Sequence, residues 1–233
     1  MQEGHVHPLS TAISRINAIF YALGYEFAEG PLIESEYYNF DALNVPRNHP
    51  ARDMQDTFWV KGVREAVLRT HTSPVQIRYM ETHTPPIRII APGRVFRNEA
   101  TDATHEAQFF QAEGLCIDRG VSLAHLKGVL EHFFSAFFER DITVRFRPGY
   151  FPFVEPGVEV DMLFTRKDGT TAWIEVMGAG MVHPTVLRAG GVDPEVYSGF
   201  AFGFGIERLV MIATGVDDVR LFHTPDLRFV HQF

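Results

Sequence analysis

Residues 199–211, GFAFGFGIERLVM, admit few folds. Successive side chains of an extended chain point to opposite faces, so Phe200, Phe202 and Phe204 load one face while Gly199, Ala201, Gly203 and Gly205 leave the other nearly bare. A strand stripped on one face loses stability. Something must therefore lie close on that backbone, either a flat ligand or a tightly packed helix. The three phenylalanines in turn require an apolar layer on their own side. After Gly205 the spacing of Ile206, Leu209 and Val210 becomes helical, which sets Arg208 in a first turn beside the bare strand. The run is neither a P-loop nor a dinucleotide fingerprint, because G-x-x-x-x-G-K and G-x-G-x-x-G are both missing.

A second constraint is residues 94–117, RVFRNEATDATHEAQFFQAEGLCI, which read as a β-hairpin. Val95, Arg97 and Glu99 share a face of the outgoing strand. Phe109, Gln111 and Glu113 share one on the return, and Leu115 and Ile117 continue it toward the core. The joining loop, residues 100–106, is too polar to pack. A guanidinium, two carboxylates, an amide and an aromatic ring on one surface are costly unless a charged, phosphorylated ligand completes them. The competing reading is a solvated face with Arg97 and Glu99 paired.

The remaining segments supply the layers. Leu9, Ile13, Ile16, Ile19, Phe20 and Leu23 form an amphipathic helix of roughly four turns, started by Pro8 and stopped by Gly24. Residues 37–59 show no sustained period and read as a long irregular arm whose aromatics pack. Val67–Thr70 is a short strand; Ser73 is placed as an N-cap and Pro74 in the first turn of a helix over residues 75–82. No G-x-S-x-G elbow makes Ser73 a nucleophile. Ile87–Ala91 enters the hairpin as a buried strand. Between Val121 and Arg140 a wide apolar stripe makes a second long helix, on which His125 and His132, seven apart, are not a chelating pair. Ile142, Val144 and Phe146 alternate with Thr143, Arg145 and Arg147 on a half-buried strand. Phe151 and Phe153, separated by Pro152, point to one side of an extended chain as core or as walls for an apolar ligand. Val158–Thr165 and Thr171–Met177 flank a turn at Lys167, Asp168 and Gly169. This order predicts an α+β fold with one antiparallel sheet backed by helices.

No Pro, Gly or Ser-rich linker divides the 233 residues, so one domain spanning 1–233 is expected. No apolar run approaches the ~20 residues of a membrane span, MQEGHVHPLS is not a secretory signal, and the single cysteine, Cys116, sits in an apolar run as an inert thiol. The expectation is a cytoplasmic protein without a membrane segment. A formal charge of −8 argues against nucleic-acid binding over the whole surface, so any such contact is local or carried by a partner.

At this level of detail the chain resembles the catalytic domain of the bacterial phenylalanyl-tRNA synthetase α-subunit family, within the class II aminoacyl-tRNA synthetases. Residues 24–33, 96–115 and 203–211 resemble class II motifs 1, 2 and 3, and HTSPVQIR, PGRVFRNE, YFPFVEP, GAGMVHP and GFAFGFGIERL resemble the phenylalanine branch. The resemblance implies a class II synthetase-like sheet flanked by helices and a ligase that activates phenylalanine with ATP and charges tRNA(Phe). Arg97 and Arg208 would be catalytic; Arg97, Glu99, His105, Phe109 and Arg208 would bind ATP. His71, Ser73, Gln76, Gln111 and Glu113 would hold the ammonium and carboxylate of phenylalanine, and Phe151, Phe153 and Ala201 would line its ring pocket. Glu155 matches a Mg2+ site shared with the other subunit. It also implies a β-subunit partner in an α2β2 heterotetramer. Two features depart from the family: its amino-terminal coiled coil is missing here, and the tail reads HTPDLRF. A catalytically silent paralogue and an adenylating ligase for another carboxylate are the alternatives. The presence of Arg97 and Arg208 weighs against the first, and the paired phenylalanines against the second.

Overall fold

The computed structural model describes residues 4–46, 57–165 and 169–233. Its centre is a seven-stranded sheet in the order β1 (Glu26–Phe27), β4 (Ile87–Phe96), β5 (Gln108–Asp118), β9 (Ser198–Gly205), β8 (Thr171–Val182), β7 (Val154–Thr165) and β6 (Val144–Phe151). Every neighbouring pair is antiparallel except β1 with β4, which run parallel. A separate two-stranded sheet joins β2 (Ile33–Ser35) to β3 (Ala66–Leu68). The architecture is α+β, and the expectation of a single antiparallel sheet is corrected by this parallel edge pair and second sheet. A two-residue strand carries no alternation to read.

Residues opposite one another in a ladder share a face, so the register sorts the side chains. Val95, Gly93 and Ala91 lie opposite Phe109, Gln111 and Glu113. Gln111, Glu113 and Leu115 lie opposite Gly205, Gly203 and Ala201, and Gly178 pairs with Gly203. That whole row faces one side. Phe200, Phe202 and Phe204 face the other and meet helix α1 (Pro8–Ala22) and the long helix Leu123–Phe138: Phe20 stacks on Phe202 at 5.4 Å, and Phe133 on Phe204 at 5.1 Å. The two helices form as their sequence requires. His7 accepts from the Leu9 amide at the start of α1, Gly24 at φ 78° follows its end, and Ser122 with His125 makes a capping box for the second helix. His125 is thus a cap. A smaller core including Leu43, Ile77, Ile89 and Leu115 lies on the site face.

The hairpin holds, with shifted ends. β4 is one continuous strand from Ile87 that stops at Phe96, so Arg97 and Glu99 stand in the loop, although the Arg97 amide still reaches the Ala107 carbonyl at 3.0 Å. The helix after Ser73 runs Pro74–Met80. Ser73 precedes it without capping it, because its hydroxyl is committed elsewhere. Cys116 is buried and burial pushes its thiol up, as an inert thiol requires. Residues 47–56 of the irregular arm, and Lys167 and Asp168 of the hairpin turn, lie outside the described residues.

Candidate active site

The site face opens into two adjoining cavities of about 200 and about 180 Å3, and Arg97 lines both. The first brings together every residue expected to hold the amino acid: His71, Ser73, Gln76, Gln111, Glu113, Phe151, Phe153 and Ala201. The second brings together Arg97, Glu99, His105, Phe109 and Arg208.

At the polar end of the first cavity stands Glu113, fully buried at the centre of β5. Its Oε2 accepts from the Ser73 hydroxyl at 2.6 Å and from Gln76 Nε2 at 2.9 Å, and its Oε1 accepts from the Thr72 amide at 3.1 Å. Burial raises its pKa and these donors oppose the rise. Beside it, burial followed by the Arg97 charge drives His71 down to about 3, so the imidazole is neutral and its Nδ1 is without a partner among the described residues. Gln111 Oε1 is likewise unpartnered. Buried polar atoms left in this state are unusual and mark a surface that a polar ligand head would complete. The opposite end is apolar. Phe151 closes β6 and Phe153 lies in the turn to β7, their rings stacked with centroids 6.0 Å apart, and Leu43, Val182 and Val186 complete the wall.

The second cavity sets Arg97, Arg208 and His105 among Glu99, Glu106 and Glu207, with Phe109 as its one aromatic ring. Arg97 Nε donates to the Thr70 carbonyl at 3.2 Å, and its guanidinium lies 5.1 Å from the centroid of the Phe109 ring. Its Nη1 is 4.0 Å from Glu99, the limit of an ion pair, so Glu99 does not neutralise it by close contact. Arg208, exposed in the first turn of the helix Ile206–Thr214, makes no hydrogen bond or ion pair among the described residues. The polar loop is built on Asp102, whose Oδ1 accepts from the Thr104 amide at 2.7 Å and the His105 amide at 2.8 Å, with His105 Nδ1 3.0 Å away.

The bare face of β9 has a different explanation at each position. A Cβ at Gly203 would come within 2.9 Å of Glu113 Cγ, so the glycine makes room for a neighbouring side chain. At Gly205 the nearest atom is Arg208 Cβ at 3.8 Å, and there the backbone itself floors the second cavity. Neither a flat ligand along the whole strand nor a packed helix is required. Sequence reasoning missed Glu207, whose two carboxylate oxygens accept from the Phe110 amide at 2.8 and 3.0 Å and so fix the helix to β5 beneath the cavity. It also missed Thr104, Glu106, Met211 and Val219 in the second wall. The acidic residue next to Arg208 was the available signal.

Glu155 lines neither cavity. It is exposed and pairs with His183 at 3.3 Å, and no three His, Cys, Asp or Glu gather among the described residues. Magnesium asks for about six oxygen ligands. One carboxylate beside one imidazole does not fit a resident ion held by this chain alone.

The arrangement suits joining two anionic ligands. A carboxylate from the first cavity and a phosphate from the second would converge on the guanidinium they share. The family model described as tRNA synthetases class II core domain (F) matches residues 1–233. The phenylalanine–tRNA ligase alpha subunit of Synechocystis sp. is 54% identical over 231 residues, 99% of this chain and 68% of that protein. That of Cellvibrio japonicus is 54% identical over 240 residues, covering 100% of this chain and 70% of its own. The Dehalococcoides mccartyi protein of the same name is 52% identical over 242 residues. With two adjoining cavities on one sheet face and this likeness along its whole length, the chain belongs to the class II aminoacyl-tRNA synthetases, in the phenylalanine–tRNA ligase alpha-subunit family.

Proposed function

We propose that the two cavities are the phenylalanine and ATP halves of one adenylation site, joined at Arg97. The chain activates L-phenylalanine with ATP and transfers the product to tRNA(Phe) as the catalytic subunit of a phenylalanine–tRNA ligase. The observation that supports the site assignment is the guanidinium lining both cavities. The phenylalanine ammonium is read as bonding to Glu113 and Gln111, its carboxylate as lying near His71 and Arg97, and its ring as entering between Phe151, Phe153 and Ala201. ATP is read as stacking its base on Phe109 under Arg208, with Glu99 and His105 at the rim.

The carboxylate oxygen attacks the α-phosphorus, the bond from that phosphorus to the bridging oxygen breaks, and pyrophosphate leaves. The substrate is its own nucleophile, so no general base is needed. What the chain supplies is alignment and a fixed positive charge where negative charge accumulates. Phosphoryl chemistry of this kind uses Mg2+ on the phosphates, and such an ion would arrive with ATP; Glu155, outside both cavities, would belong to a separate Mg2+ site completed by the other subunit. A β subunit is the partner the family's name implies; α2β2 stoichiometry and a single catalytic domain over residues 1–233 are part of the same proposal. With a charge of −8, tRNA is read as held locally or by the partner.

The test is phenylalanine-dependent ATP–pyrophosphate exchange by the complex with its β subunit. Removing a charged donor from the transition state typically lowers the rate by ~10²–10³, and Arg97→Ala is expected to fall in that range. Exchange that survives this substitution overturns the phosphate role of Arg97.

A further inference from the structure

Of residues 36–45 only Leu43 lines the first cavity, yet two asparagines of this segment reach its two opposed walls. Asn39 is fully buried and spends both ends of its amide on one residue: Nδ2 donates to Thr70 Oγ1 at 3.1 Å, and Oδ1 accepts from the Thr70 amide at 3.2 Å. Those bonds hold Thr70 at its amide and its side chain, and the carbonyl of the same residue accepts from Arg97 Nε. A guanidinium is planar and rigid, so anchoring Nε sets the direction of its remaining donors.

The second asparagine works on the far wall. Asn44 caps the 3-10 helix Asp41–Leu43 in the left-handed region, at φ 60° and ψ 27°, a conformation asparagine adopts more readily than most residues. From there Nδ2 donates to the Pro152 carbonyl at 2.7 Å. Pro152 lies between the two stacked phenylalanines that wall the ring pocket.

We propose that Asn39, acting through Thr70, positions the Arg97 guanidinium, and that Asn44, acting through Pro152, positions the Phe151 and Phe153 rings. One short segment thereby sets the span between the phosphate contact and the ring pocket. The proposal rests on the assignment of the cavities to ATP and phenylalanine.

The experiment measures kcat and separate KM values for phenylalanine and ATP in pyrophosphate exchange by the complex with its β subunit, per folded molecule. Asn44→Gly permits the left-handed backbone and removes the side chain with its amide donor. Loss of one such hydrogen bond is worth about fivefold to tenfold. Asn44→Gly is expected to raise KM for phenylalanine by that factor, to leave KM for ATP and kcat near wild type, and to narrow the preference for phenylalanine over para-chlorophenylalanine. Asn39→Ala and the near-isosteric Thr70→Val are expected to lower kcat by the same factor with both KM values held within about twofold. If Asn39→Ala fails to fold, Thr70→Val decides that arm. Kinetic constants per folded molecule that match wild type, or a rise in both KM values together in Asn44→Gly, overturn the proposal while leaving the substrate assignment intact. A wild-type complex without phenylalanine-dependent exchange overturns the assignment and the proposal with it.

Discussion

His71 is held neutral by burial and by the Arg97 charge, with its pKa driven to about 3 against an ordinary value of 6.5. Between those values the unfolded chain binds a proton that the folded chain refuses. The stability His71 confers is complete above pH 6.5 and is lost as pH falls toward 3, with a slope of up to ~1.4 kcal/mol per pH unit. Glu113 has the opposite sign: its raised pKa makes its contribution greatest in acid and lost as pH rises through the folded value. The comparison of wild type with His71→Gln isolates the first effect. Urea midpoints measured from pH 7 to pH 5 are expected to decline more steeply in wild type than in His71→Gln; equal slopes would show that the imidazole is protonated in the fold.

Two glycines on the site face, Gly178 of β8 and Gly205 of β9, permit a sharper separation. A Cβ at Gly178 would sit 2.7 Å from the Phe151 ring, whereas one at Gly205 finds only Arg208 Cβ at 3.8 Å. Gly178→Ala is therefore expected to push the ring wall and raise KM for phenylalanine, and Gly205→Ala to fill the floor of the other cavity and raise KM for ATP, each with the second constant little changed. Pyrophosphate exchange with either substrate varied decides it, and a shared response in both variants would place the two glycines in one compartment. The division of β9 into a ring face and a bare face was legible from residues 199–205 because a period of two is a local property of the chain. The hairpin and its charged face were legible for the same reason. The parallel pairing of β1 and the roles of Asn39 and Asn44 were not, since each asparagine acts on a residue 31 or 108 positions away and nothing near it in sequence names that partner. Ser73 shows the opposite failure. Its position before Pro74 suggested a cap, and a buried carboxylate 40 residues on outcompeted the helix for its hydroxyl.

Across the described residues the sheet divides the interior into a layer of rings beneath the helices and a layer that borders the two cavities. None of the described helices is long and apolar enough to cross a membrane. Phe20 is 0% exposed and stacks on Phe133 and Phe202, on the side of the sheet away from both cavities. Phe20→Ala is expected to lower the unfolding free energy by ~3–5 kcal/mol while leaving both KM values near wild type at a temperature where the variant is folded. Denaturation curves and exchange kinetics on the same preparation test this, and a selective change in either KM would show that the two layers are mechanically coupled. The two-sided strand has a consequence for descent. Ala201, Gly203 and Gly205 line the two cavities while Phe200, Phe202 and Phe204 belong to the ring layer beneath the helices, so a lineage could drift in which side chain it selects without revising the letters that keep it folded. Ala201 is the position where such drift would be read first.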